Sequence, residues 1–200
     1  MKHALIISHP KPNSFTASVA EAYALACRAL SHDIVVRDLY AMSFDPCLKA
    51  SELPFAEGFQ SHPDVMFERE LLKSCDVFAL FYPLWLNAPP AMMKGYLDRV
   101  FGFGFAYGDG GHSYNPLLAG RKLVSFSSSG APLSWIKQTG ALAAICALFD
   151  EYFASLCGMI ALEHVHFGGV TPGASETFVQ ARMEDARKIV NKHFGSASCH

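Results

Sequence analysis

Short apolar runs alternate along this chain with longer stretches whose apolar positions recur every three or four residues. The short runs predict strands at His3–Ser8, Ile34–Arg37, Val77–Tyr82, Lys122–Phe126 and Met159–Phe167. In Thr16–Leu30, Val19, Ala22, Tyr23, Ala26 and Leu30 fall on one helical face, with Ser14 available as a cap. Val65–Ser74, Ala91–Phe101 behind Pro89-Pro90, Trp135–Leu156 and Ser175–Phe194 read as further helices. From Leu39 to Pro63 the periodicity dissolves among Pro46, Pro54, Gly58 and Pro63, which predicts a long connection. A glycine- and aromatic-rich loop, GFGFAYGDGGHSYN, precedes the fourth strand. This alternation predicts an α/β fold, a doubly wound five-stranded parallel sheet with helices on both faces, in either dinucleotide-binding or flavodoxin-like order. Residues 1–195 are expected to form one domain and residues 196–200 a frayed tail.

The chain has 200 residues, of which 51% are hydrophobic and 17% charged, against a typical charged share of about 25%. That is material for a large core with apolar surface left for an interface, and it excludes dominant disorder. A net charge of −2 offers no basic face for nucleic acid. The six cysteines show no C-x-x-C pair and no zinc-like spacing, so reduced thiols in a cytoplasmic protein are expected. Ala4–Ile7 is too short for a signal-peptide core. Val77–Leu86 is interrupted by Pro83 and falls short of the roughly 18 residues of a membrane span, so no membrane insertion is expected.

Ligands of such sheets sit beyond the carboxyl ends of the strands, which directs attention to three loops. His9–Phe15, HPKPNSF, carries neither a G-x-G-x-x-G nor a P-loop fingerprint, yet it joins a strand to a helix N-terminus. Free N–H groups there, with the hydroxyls of Ser14 and Thr16 and the His9 ring, suit a phosphate. The same hydroxyls would equally serve as plain helix caps. In the second loop, Pro83, Leu84, Trp85, Leu86 and Asn87 present apolar surface at a strand end, suited to a flat ring such as isoalloxazine or to a neighbouring helix or subunit. In the third, Ser127, Ser128, Ser129 and Gly130 are small enough to let backbone donors approach a ligand. All three at one sheet edge point to a planar cofactor that carries phosphate.

The segments ALIISHPKPNSF, DLYAMSFDP, YPLWLNAPPAMMKGYLDRVF, GFAYG and SFSSSGAP, in this order from Ala4 to Trp135, resemble the NAD(P)H:quinone oxidoreductase family of flavodoxin-like flavoproteins. The resemblance implies a homodimer in which NAD(P)H reduces a bound flavin and leaves, and a quinone or similar aromatic acceptor replaces it. His9, Ser14, Phe15 and Thr16 match the flavin-phosphate loop. Pro83, Leu84, Trp85, Leu86 and Asn87 match the loop along the ring, and Ser127 to Gly130, with Trp135, the loop at its polar edge. Ala106, Tyr107 and Gly108 match a segment bordering the substrate from the neighbouring subunit. The flavin implied is FAD, with FMN as the alternative. Where better-known members carry a tyrosine and, six residues on, a histidine that manage flavin protonation, this chain has Trp135 and Ala141, neither of which donates a proton near neutral pH. Two other readings of the resemblance are a flavin-binding regulatory subunit of a membrane transporter and a one-electron carrier.

Remaining candidates are weaker. His112, in the glycine-rich loop, could reach a substrate mouth. His164 and His166 share one face of a strand, which suits a metal pair, but without a third ligand they read as sheet-surface histidines. Lys94, Asp98 and Arg99 read as a solvated or interfacial charge face, and Phe101, Phe103, Phe105 and Tyr107 as a dimer contact that walls the substrate pocket.

Overall fold

The computed structural model describes residues 1–54, 56–109 and 114–195. Five parallel strands, β1 (Lys2–Ile7), β2 (Asp33–Asp38), β3 (Val77–Pro83), β6 (Lys122–Ser128) and β7 (Ile160–Phe167), form one sheet in the order β2-β1-β3-β6-β7. This is the flavodoxin-like order of the two left open by the sequence. Between β3 and β6 the chain adds a small antiparallel hairpin, β4 (Tyr107–Asp109) and β5 (Tyr114–Pro116).

Period-two alternation sends Ala4 and Ile6 of β1 to one face and Leu5 and Ile7 to the other. Helix α1 (Phe15–Ala29) and helix α7 (Glu176–Phe194) cover the second face with Val19, Tyr23, Met183 and Val190. The first face is closed by α2 (Pro63–Leu72), α3 (Ala91–Val100) and the segments after β6, through Leu72, Met93, Tyr96 and Ala154. Every residue of β3 is buried, as expected of a central strand covered on both sides.

The long helix expected over Trp135–Leu156 is four pieces: α4 (Leu133–Gln138), α5 (Ala141–Ile145), a π-helical turn at Cys146–Glu151, and α6 (Tyr152–Cys157). The first break has a local cause. Gly140 adopts φ 75°, the left-handed conformation that ends a helix, and the Thr139 hydroxyl donates to the carbonyls of Trp135 and Ile136.

Two other expectations are corrected by burial. Arg99 lies inside, not on a charged face: its guanidinium bonds both oxygens of Glu52 at 2.9 Å and Asp64 at 2.7 and 3.0 Å. Only Lys94 and Asp98 form a surface pair. Phe101 and Phe105 belong to the core, edge-on to each other, and Phe101 also packs edge-on to Phe78 and Phe153. The connection itself is ordered by Leu39, Phe44 and a short 3-10 turn at Ala50–Glu52.

Candidate active site

Because parallel strands all end on the same side, the three loops converge at one edge of the sheet. The His9 and Trp85 rings are 5.9 Å apart, joining the first loop to the second. The Leu84 N–H donates to the Ser128 carbonyl at 2.7 Å, joining the second to the third. The Asn87 amide donates to the Ala141 carbonyl at 3.4 Å, so Ala141 borders the second loop.

At the first loop Ser14 caps α1, its hydroxyl accepting from the Ala17 N–H at 3.1 Å. The N–H groups of Phe15 and Thr16 have no acceptor among the described residues, and the helix dipole makes these donors a seat for an anion. His9 accepts the Lys11 N–H on Nδ1 at 3.0 Å, and burial lowers its pKa, so it offers a neutral ring rather than a charge. A narrow cleft runs from Phe15 and Thr16 to Ser127 and Ser128. Beside it, the Ser8 hydroxyl is buried at the end of β1 without a protein partner.

The second loop is a tight turn. Trp85 and Ala88 exchange backbone hydrogen bonds of 2.9 and 3.1 Å, while Leu86 and Asn87 adopt φ 52° and 56°. Such turns normally use glycine or asparagine at both positions. Leu86, a branched residue in a left-handed conformation and fully exposed, is held in a costly geometry that presents its side chain outward. Trp85 and Trp135 are also exposed.

The third loop is anchored by a segment that sequence reasoning missed, Gly168 to Val170. Ser129 is held on both backbone groups: its N–H donates to the Phe167 carbonyl at 3.0 Å, and its carbonyl accepts from the Val170 N–H at 2.9 Å. A β-carbon on Gly168 would lie 2.3 Å from the Leu133 nitrogen, so glycine is what permits this approach.

Behind the loop lies a buried polar row. Ser125 donates to Asp150 Oδ1 at 2.6 Å, and Asp150 Oδ2 meets His164 Nδ1 at 2.5 Å. His164 Nε2 meets Ser127 Oγ at 2.6 Å, Ser127 Oγ meets His166 Nδ1 at 2.8 Å, and His166 Nε2 meets Ser129 Oγ at 2.9 Å. His164 and His166 are therefore not sheet-surface residues: all four ring nitrogens are engaged beneath the π-helical turn. The readable signal was the period-two match of two histidines to the serines of an otherwise apolar strand. Burial, and then His164, push the His166 pKa down to about 4.

Of the expected substrate-bordering residues, Ala106 is buried with both backbone groups bonded, to Gly102 and Leu117, while Tyr107 and Gly108 are half-buried in the hairpin. His112 lies outside the described residues.

Sheet order and site position define the class: a flavodoxin-like α/β protein with its site beyond the strand ends. The model of the flavodoxin-like fold family matches residues 1–192. An NAD(P)H oxidoreductase of Haemophilus influenzae is 30% identical over 171 residues, covering 85% of each chain. One of Escherichia coli is 38% identical over 170 residues, covering 80% of this chain and 78% of its own. Among solved structures, an NAD(P)H:quinone oxidoreductase from Methanothermobacter marburgensis superimposes with a TM-score of 0.83 at 26% identity, over 96% of this chain and 98% of that one. The chain belongs to the NAD(P)H:quinone oxidoreductase family of flavodoxin-like proteins, and it is an oxidoreductase.

Proposed function

We propose that this protein is a flavin-dependent NAD(P)H:quinone oxidoreductase working by a ping-pong cycle. The observation that carries the reading is the convergence of an open helix N-terminus, an exposed aromatic turn and a small-residue loop on one edge. When bound, a flavin supplies a ring that takes a hydride from NAD(P)H and passes it to a quinone or similar aromatic acceptor. The chain's part is to seat and orient. The N–H groups of Phe15 and Thr16 and the hydroxyl of Ser8 would hold the phosphate and its ribityl arm, Trp85 and Leu86 would cover the ring, and the backbone from Ser127 to Gly130 would hold its polar edge. Holding the ring in a fixed orientation is what these residues would contribute to hydride transfer.

FAD is the proposed flavin, supported by two N–H groups at the start of α1 that could share two phosphates. One observation favours FMN as a second reading. The Leu39–Pro63 connection, the expected wall for an adenine, is committed to α3 through Pro46 and Glu52. A fold neighbour from Treponema denticola is a complex with FMN.

A second copy of the chain is proposed to cover the groove between α3 and the π-helical turn, where Leu148 and Tyr152 stand 73% and 64% exposed beside Tyr107. The five described cysteines are free thiols, which supports a cytoplasmic setting. No helix among the described residues is long and apolar enough to cross a membrane.

The test is an absorption spectrum of the purified protein followed by steady-state rates with NADPH and a simple benzoquinone. A yellow protein giving parallel double-reciprocal lines is expected. A colourless chain that takes up neither flavin at micromolar concentration overturns the reading.

A further inference from the structure

The buried row from Asp150 to Ser129 obeys a strict proton count. A serine hydroxyl has one proton, and Ser127 Oγ lies between His164 Nε2 and His166 Nδ1, so it can donate to only one of them. With His164 neutral and its proton on Nδ1 facing Asp150, Ser127 donates to His164 Nε2. His166 then donates from Nδ1 to Ser127 and accepts on Nε2 from Ser129. Now add one proton at Ser129. Ser129 passes its own proton to His166 Nε2, His166 passes its Nδ1 proton to Ser127, and Ser127 passes its proton to His164 Nε2. The three hydrogen bonds between His164 and Ser129 survive with their directions reversed, while His164 Nδ1 goes on donating to Asp150. The Ser129 hydroxyl turns to the Ala131 carbonyl, which stands ready at 3.0 Å. The two arrangements differ by one proton, and its charge rests on His164 beside the Asp150 carboxylate.

We propose that Ser129, His166, Ser127 and His164 are a proton-transfer row that exchanges one proton between the third loop and the buried Asp150–His164 pair. Ser129 is the outer end because it alone of the row stands in the loop, next to the exposed Gly130. The partner it serves is a proton-exchanging nitrogen or oxygen of a molecule seated on that loop. Only that identity rests on the flavin reading. His166 hands protons on without becoming charged, since its burial opposes a second proton. The other groups that face His164 do not compete. Cys146 and Tyr82 stay protonated, their pKa values raised by burial first and by Asp150 second. Across the open edge, Lys137, Glu163, Arg182, Asp185 and Lys188 line one groove with His164 and His166, and Glu163 is paired to Lys192 and His193. Arg182 and Lys188 are each paired to Asp185.

Nitrogen-15 NMR of the imidazole rings in the full chain, through a pH titration, tests the row. As His164 takes its second proton, His166 is expected to move its single proton from Nδ1 to Nε2 in the same step. In Ser127→Ala the His166 response is lost. In His164→Gln, His166 keeps one tautomer at every pH. If Ser127→Ala does not fold, the unmodified chain and His164→Gln decide. His166 holding one tautomer while His164 is protonated, His166 itself taking a second proton, or neither ring changing over the pH range in which the chain stays folded would each overturn the proposal. None of these measurements needs a flavin. A colourless chain with coupled tautomers would leave the row standing, and a flavin-binding chain without them would leave the flavin reading standing.

Discussion

A β-carbon on Gly95 would lie 2.1 Å from the carbonyl oxygen of Pro46, so α3 and the connection before α2 touch backbone to backbone at a point where only glycine fits. Neither side of that contact can give way by rotating a side chain. Gly95→Ala should therefore cost about 3 kcal/mol, the upper end of the usual range for overpacking. Denaturant unfolding measures the loss, and faster proteolysis within residues 39–54 would show that the connection has lifted.

Arg99 supports the same contact, reaching the Asp45 carbonyl at 2.7 Å as well as Glu52 and Asp64. Burial pushes the Glu52 carboxyl up, and the hydrogen bonds from Arg99 more than offset this and hold it below its ordinary range. Arg99→Met would strand Glu52 as a buried, unpaired carboxylate and should cost about 3–5 kcal/mol. The double variant Arg99→Met/Glu52→Gln should recover part of that in a denaturant titration. No recovery would mean that the Asp45 bond dominates.

At the second loop, stability and binding should move in opposite directions. Leu86→Gly relieves a left-handed φ of 52° and should raise stability by about 1 kcal/mol. It also removes the apolar side chain offered to the ligand, so flavin affinity should fall. Trp85→Ala should weaken flavin by about 1–3 kcal/mol through lost aromatic contact, with little change in stability because the ring is half outside. Thermal melts and fluorescence titrations with FMN and FAD read both effects. FMN binding as tightly as FAD would show that the adenine half makes no useful contact.

At the opposite end of the sheet, His3 is enclosed by Tyr23, His32 and Phe194, with Nδ1 2.9 Å from the Tyr23 oxygen. Burial, then the neighbouring His32, push its pKa to about 4. The folded chain thus resists a proton that the unfolded chain takes up near pH 6.5. Stability is fully present above pH 6.5 and is lost as pH falls towards 4, by up to about 3 kcal/mol from this group. His3→Gln should flatten the melting-temperature profile in that window. An unchanged slope would place the loss elsewhere, with buried His166 the next candidate.

Features that depend on local pattern were legible along the chain. Alternation and three-to-four periodicity marked all five sheet strands within a residue or two, the helices α1, α2, α3 and α7, and the three strand-end loops, because those signals are carried by neighbouring residues. Only the tertiary structure decided the strand order, since the same elements fit two windings. It also decided the fate of charged and polar residues. Arg99 has the spacing of a surface helix position and is buried because Glu52, 47 residues away, folds over it. His164 and His166 look like surface histidines until the π-helical turn brings Asp150 across to His164 and the serines of β6 and its loop engage His166. The turn at Leu86 and Asn87 was only half legible: asparagine favours a positive φ, but leucine does not, so nothing along the chain announces the left-handed Leu86. Hydrophobic periodicity is set along the chain, whereas the pairing of buried polar groups is set by partners distant in sequence, and only folding brings those together.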